Sequence, residues 1–217
     1  MKYKSVIVPA RGGPEVIEIV EKELAAPGVG KVVVRILAAP LTQDDVAVRA
    51  GNRPWLADVP FVPGYSILGI VDEIGDGVSR VAVGDRVVAL TNFGGHAEYI
   101  TLPEENLVHV PQSLDAAEAV VLLLNYLVAY QILHRVAKVK KGDSVLIVGA
   151  SGGCGTAFLQ LGKLAGLKMY GLASPGKHDI LREYGATPID YRTEDFVKVI
   201  TETQPGGLDF VFNGMAE

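Results

Sequence analysis

The residues best suited to chemistry form one glycine-rich run, Gly149-Ala150-Ser151-Gly152-Gly153-Cys154-Gly155. Within it Ala150, Gly152 and Gly155 keep the GxGxxG spacing, with a small residue in the first place. That spacing permits a tight turn at Ala150, lets backbone approach a pyrophosphate at Gly152, and lets a helix pack on the preceding strand at Gly155. Backbone N–H groups of Gly153 and Cys154 then meet phosphate oxygens at the positive end of the helix. The blander alternative is a structural glycine turn. Cys154 reads as a small packing residue of the turn, not as a nucleophile.

A second set lies about twenty residues on, where a fold that binds NAD carries Asp or Glu for the ribose 2′-hydroxyl. This sequence has Gly171-Leu172-Ala173-Ser174 there, without a carboxylate, and Lys177 follows. Ser174 can donate a hydrogen bond to a 2′-phosphate and Lys177 can pair with it, each such charge-assisted bond contributing about 1.5–3 kcal/mol. The pattern favours NADPH. The alternative is that Ser174 caps the next helix and Lys177 is a solvated first-turn charge.

These residues need particular elements to position them. Val145-Leu146-Ile147-Val148 reads as a parallel strand buried on both faces, and Ala157, Phe158, Leu161, Leu164 and Ala165 recur at helical spacing after the turn. Beyond residue 111 strands and helices alternate: strand 145–148, helix 155–165, strand 168–172, helix 177–184, strand 188–190, helix 195–203 and strand 209–212. That alternation predicts a doubly wound parallel sheet. Before it, a helix capped by Ser113 is expected from about Asp115 to Ala137. From Met1 to about Leu114 the texture is β, with runs at 5–8, 15–21, 31–38, 67–74, 86–90 and 97–102 separated by Gly, Pro and Asp turns at the spacing of a small barrel. A short helix is expected over 42–50, with Thr42 as N-cap.

Composition bounds the rest. An apolar share of 49% with 21% charged residues suits a globular protein that buries a substantial core. The net charge of −5 comes without a basic run, which argues against a nucleic-acid partner. The single cysteine excludes an internal disulfide and a zinc site of several thiolates, and points to a reducing compartment, the cytoplasm. The N-terminus lacks the apolar core of a signal peptide, and the apolar run from Ala116 to Leu133, interrupted by Glu118, Asn125 and Gln131, reads as a core helix and not a membrane span. In the usual strand order 3-2-1-4-5-6 the chain ends just after strand four, so an intact molecule is expected to continue for about a hundred residues.

The order of these segments resembles the medium-chain dehydrogenase/reductase superfamily, in its zinc-independent quinone oxidoreductase branch. The likeness is carried by Pro63-Gly64-Tyr65 with Leu68-Gly69-Ile70-Val71, Val83-Gly84-Asp85-Arg86-Val87, Gly95-His96-Ala97-Glu98-Tyr99, the AxGxxG turn and Gly185-Ala186-Thr187-Pro188-Ile189-Asp190-Tyr191. Pro63-Gly64-Tyr65 and Leu124-Asn125-Tyr126 are similar to relatives of the vesicle amine transport protein. The resemblance implies a GroES-like β-barrel domain over residues 1–119, carrying the substrate side. It also implies an NADP-binding Rossmann domain over 120–217, with the C-terminal part of that domain missing from this chain. Zinc-dependent relatives have Cys near Pro40 and Gly-His-Glu where Gly64-Tyr65-Ser66 stands here, and carry a four-cysteine lobe absent from this sequence. A catalytic zinc is therefore not expected.

The resemblance further implies that Thr42, Gln43, Asp45, Val128 and Asn213 lie at the nicotinamide end of the cofactor, and Tyr191 at its adenine end. The family usually has Asn or Ser at Thr42 and Thr at Val128. Helix capping explains Thr42 and its neighbours equally well, and strand-end packing explains Tyr191. Tyr65 is the expected substrate-pocket residue together with Thr42, and Tyr126 and Trp55 are more remote candidates. Core packing is the alternative for all three aromatic residues and is the expectation for Trp55 and Tyr126. The four histidines are expected in surface or core roles. The implied reaction is hydride transfer from NADPH to a quinone or an α,β-unsaturated carbonyl, by a homodimer once the full chain is present. The alternatives are a trans-2-enoyl thioester reductase and a non-catalytic NADPH-binding protein.

Overall fold

The computed structural model describes residues 1–215 and divides into two compact units, one spanning Met1–Leu124 and the other starting at Asn125. In the first, β1 (Lys2–Ile7) pairs antiparallel with β2 (Glu18–Glu23). The next elements are β3 (Lys31–Ala38), α1 (Gln43–Ala50), β4 (Ser66–Ile74), β5 (Arg86–Leu90), β6 (Tyr99–Pro103) and β7 (Val108–His109). The last five strands form one antiparallel sheet in the order β6-β3-β4-β5-β7. One face buries Val32, Val34, Ile67, Val71, Val87 and Leu102. The other packs Leu68 and Val88 against Ala119 and Val120.

Two expectations are corrected here. The strand expected over 15–21 starts only at Glu18, because Pro14–Val16 forms a 3-10 turn. Pro14 has no N–H to give a ladder, and the Glu15 carboxylate turns back to accept from Gly13 N at 2.8 Å. The helix α2 (Ala116–Tyr130) is capped by Asp115 instead of Ser113, with Asp115 Oδ1 accepting from Ala117 N at 2.8 Å and Glu118 N at 3.1 Å. Those two N–H groups also hold the Asp115 carboxyl below its ordinary pKa.

A π-helical stretch over Gln131–Val136 continues α2. The whole segment Ala116–Val136 is long and apolar enough to cross a membrane by length and composition, and only 22% of its most apolar window is buried. The core-helix expectation holds at Ala119, Val120, Ala129 and Leu133, whereas Val121, Leu122, Leu127 and Val136 are exposed.

The second unit follows the predicted alternation closely. It contains β8 (Ser144–Val148), α3 (Gly153–Ala165), β9 (Lys168–Leu172), α4 (His178–Glu183), β10 (Ala186–Ile189), α5 (Phe196–Thr203) and β11 (Phe210–Asn213). The four strands are parallel in the order β10-β9-β8-β11, the first four places of a doubly wound sheet. Burial on both faces of β8 is direct: Val145 and Ile147 join Phe158, Leu181 and Phe212 on one side. Leu146 joins Tyr170, Leu172 and Ile189 on the other.

Candidate functional site

In the first unit, three loops meet through hydrogen bonds centred on Asp45 and Gly64. Thr42 and Asp45 form a reciprocal capping box at the start of α1. Asp45 Oδ2 accepts from Thr42 N at 2.8 Å and Thr42 Oγ1 at 2.7 Å, while Oδ1 accepts from Gly64 N at 2.8 Å. The carboxylate is only 4% exposed, so each of these bonds replaces water it has lost. Gly64 sits at φ +108°, and its carbonyl accepts from Thr91 Oγ1 at 2.6 Å and Gly95 N at 3.1 Å. A Cβ on Gly64 would overlap the backbone of Gly95 and His96, so the close approach itself demands glycine. The His96 backbone N–H donates to Pro63 O at 2.9 Å, and its ring Nε2 lies 3.0 Å from Pro40 O, which fixes the proton on Nε2.

This network holds Tyr65 in place. Its ring is half-buried and tilts against Phe93 at 6.2 Å between centroids. Burial first, then the neighbouring Asp44 carboxylate, pushes the Tyr65 phenol above its ordinary pKa, with Arg53 opposing. Asp44 is paired with the Arg53 guanidinium. Gln43 is exposed at the first turn of α1. Trp55, expected in the core, is 75% exposed. Its loop is held through backbone instead: the Arg11 guanidinium donates to the carbonyls of Val48 (2.5 Å), Pro54 (3.5 Å) and Ala57.

In the second unit the glycine turn joins β8 to α3. Gly152 is the N-cap of α3 and contributes no side-chain cap, so the first N–H groups of the helix face outward from bare backbone. A Cβ on Gly155 would overlap the carbonyl oxygen of Gly149 and the backbone of Ala150, and Ala150 is fully buried. Ser151, Gly152 and Gly153 are exposed.

At the far ends of β9 and β10, Ser174 is half-buried and its hydroxyl makes no capping bond to the turn that follows, while Lys177 is exposed. Tyr191 is 49% exposed, so it is not a packed strand end. Arg192, which the sequence did not single out, lies 5.5 Å from the Tyr191 ring centroid and donates to its hydroxyl at 3.3 Å. Val128 is 37% exposed on α2, and Asn213 ends β11 with its Oδ1 accepting from Met215 N at 3.0 Å. Tyr126 is half-buried and donates to Gln160 at 2.6 Å, whose amide donates to the Tyr184 hydroxyl at 2.8 Å.

Thr42, Gln43, Asp45 and Tyr65 thus gather in the first unit. The remaining candidates belong to the second, where the turn residues form one group and Ser174, Lys177 and Tyr191 lie at neighbouring strand ends. Among the described residues no group of three or more His, Cys, Asp and Glu side chains converges as a metal site would require.

Comparison with known proteins adds the following. The family model described as the alcohol dehydrogenase GroES-like domain matches residues 28–112. The synaptic vesicle membrane protein VAT-1 homolog of Rattus norvegicus is 38% identical over 190 residues, 87% of this chain and 47% of that protein. Among solved structures, the quinone oxidoreductase of Pseudomonas syringae is 37% identical with a TM-score of 0.88, over 94% of this chain and 63% of that one. The JamJ enoyl reductase is 30% identical with a TM-score of 0.90, over 100% of this chain and 68% of that one. The chain spans about half the length of the curated VAT-1 relatives it matches.

Proposed function

For a chain that belongs to the medium-chain dehydrogenase/reductase superfamily, we propose a zinc-independent oxidoreductase that transfers hydride from NADPH to a quinone or an α,β-unsaturated carbonyl. The observation that carries this reading is the bare glycine backbone at the N-terminus of α3, followed at the end of β9 by hydroxyl and cation where an NAD-binding fold has a carboxylate. The cradle fits a dinucleotide, since a Cβ at Gly155 has no room and Gly152 leaves the helix uncapped.

When bound, the nicotinamide supplies the hydride. Backbone N–H groups of Gly153 and Cys154 would hold its pyrophosphate, Ser174, Lys177 and Arg192 its 2′-phosphate, and the exposed face of Tyr191 its adenine. In the second unit Val128 and Asn213 would stand at the nicotinamide end. In the first unit Asp45 acts by position, because both its oxygens are already bonded to Thr42 and Gly64. Tyr65, with its phenol pushed up in pKa, keeps its proton at neutral pH and offers a hydrogen bond to a substrate oxygen.

Calorimetric titration with NADPH and then NADH tests the cofactor assignment. A gap of at least about tenfold in favour of NADPH, lost in Lys177→Ala, is expected. Equal affinity would remove the role of Ser174 and Lys177. Consumption of NADPH across a panel of quinones and enones tests the reaction, and a protein that binds NADPH tightly yet consumes none is a binding protein only. The similarity to an enoyl reductase supports a second reading, reduction of a trans-2-enoyl thioester, so a crotonyl thioester belongs in the same panel.

A further inference from the structure

The glycine turn contains two glycines more than its fingerprint needs: Gly149, whose φ of +72° is left-handed, and Gly153. Ala150, Gly152 and Gly155 satisfy the spacing, and Gly153 lies between them as the first residue of α3. Its backbone is not left-handed, so conformation alone would accept another residue there. Space is what it lacks while Asn125 stands where it does: a Cβ on Gly153 would stand 2.7 Å from Nδ2 of Asn125, 3.3 Å from its Cγ and 3.4 Å from its Oδ1, so the carboxamide would have to move. Asn125 therefore lies against the open end of α3, and a glycine at 153 leaves its carboxamide where it stands.

Asn125 itself is an anomaly in its helix. It interrupts Val120-Val121-Leu122-Leu123-Leu124 and Tyr126-Leu127-Val128-Ala129, and it is half-buried, a costly place for a carboxamide unless its polar atoms are used. The Cys154 thiol donates to Asn125 Oδ1 at 3.4 Å, which turns the amide oxygen towards the sulfur and leaves Nδ2 over Gly153. The amide oxygen, which would repel an anion, is thus held aside, and the N–H₂ group stands beside the first backbone N–H groups of α3.

We infer that Asn125 is a further phosphate-binding residue of this chain: its Nδ2 donates to the pyrophosphate of a dinucleotide seated on the glycine turn, and Cys154 is the positioning residue that keeps the carboxamide in that orientation. The inference rests on the dinucleotide reading above and adds a neutral donor to a cradle otherwise made of backbone. A neutral donor suits this place, because it strengthens binding to an anion without adding a desolvated charge when the site is open.

The experiment is calorimetric titration of the wild type, Asn125→Ala and Asn125→Asp with NADPH, and with 2′-AMP as a probe that has the 2′-phosphate but no pyrophosphate, alongside thermal melts. Asn125→Ala should weaken NADPH about tenfold and change 2′-AMP binding less than about twofold, as expected for one hydrogen bond to a charged acceptor. Asn125→Asp, equal in size and compared with the wild type by its melt, should weaken NADPH further still, because it sets a like charge against the pyrophosphate. Cys154→Ala should give a smaller loss of the same kind. If either Asn125 variant binds NADPH as the wild type does, or loses NADPH and 2′-AMP to the same extent, the inference is overturned while the dinucleotide reading stands. A wild type that binds no NADPH overturns both.

Discussion

The two units build their candidate sites by opposite means. In the second, the site is mostly backbone: a helix end left uncapped at Gly152, glycines where a Cβ cannot fit, and strand ends that deliver Ser174 and Tyr191. In the first it is mostly side chain, with one buried carboxylate, one threonine hydroxyl and one imidazole joining loops near residues 40, 64 and 95. A backbone site is sensitive to added volume. A side-chain site is sensitive to removed polarity, because each lost partner leaves buried N–H and C=O groups unsatisfied. Added volume should therefore damage the second unit and lost polarity the first.

The largest effect is expected for Gly155→Val. The new side chain would run into the Gly149 and Ala150 carbonyl groups, which are backbone and cannot rotate away, so the second unit should lose about 3 kcal/mol and NADPH binding with it. Denaturant unfolding followed by a probe local to that unit checks this. A loss under about 1 kcal/mol would mean that the turn can yield, and that backbone packing does not define the site as described here.

Asp45→Ala comes next and addresses the other unit. It leaves the N–H groups of Thr42 and Gly64 without acceptors, with an expected cost of about 2–3 kcal/mol and a displaced Tyr65. Asp45→Asn should recover part of that, since its carbonyl oxygen can still accept from one of the two. If Asn and Ala behaved alike, the carboxylate charge and not the geometry would be what holds the loops together.

This contrast also explains what was legible from the amino-acid sequence. The turn from Gly149 to Gly155 and its flanking strand and helix were readable because they lie in one contiguous run, and the parallel order of β8 to β11 followed from alternation. The link from Asp45 to Gly64 was not readable, since 19 residues intervene and a carboxylate at a helix start already has a sufficient local explanation as a cap. His96 was assigned only a surface or core role, because its bond to Pro40 spans 56 residues. Asn125 carried a signal that could have been followed, a lone carboxamide in an apolar helix paired with a glycine beyond the fingerprint. Arg192 carries no signal in the sequence, because its meaning depends on its place over the ring of its neighbour Tyr191, which only the side-chain geometry reveals.

A smaller effect, visible only in acid, is expected at the seam between β8 and β11. Asp209 Oδ2 accepts from Ser144 N at 2.7 Å and Ser144 Oγ at 2.8 Å, and these bonds hold the Asp209 carboxyl below its ordinary pKa. A carboxyl with a depressed pKa in the folded state contributes stability above its unfolded value, about 3.9, and that contribution is lost as pH falls through the folded value. Asp209→Asn should therefore be less stable than the wild type at neutral pH, and its stability should fall less steeply below about pH 4. Parallel acid limbs for the two proteins would show that this seam does not titrate.

The smallest effect separates a site residue from an imperfection of packing. Ser66 follows Tyr65 at the start of β4, is fully buried, and its Oγ has no hydrogen-bond partner among the described residues. If the hydroxyl serves only the fold it is a liability, and Ser66→Ala should be neutral or stabilising by up to about 1 kcal/mol with turnover unchanged. If instead Ser66→Ala destabilises the first unit, or lowers turnover with the fold intact, then the hydroxyl is satisfied by something bound there. The region beside Tyr65 would then recognise substrate through polarity, and the first unit would owe its chemistry to one more side chain than its hydrogen-bond network accounts for.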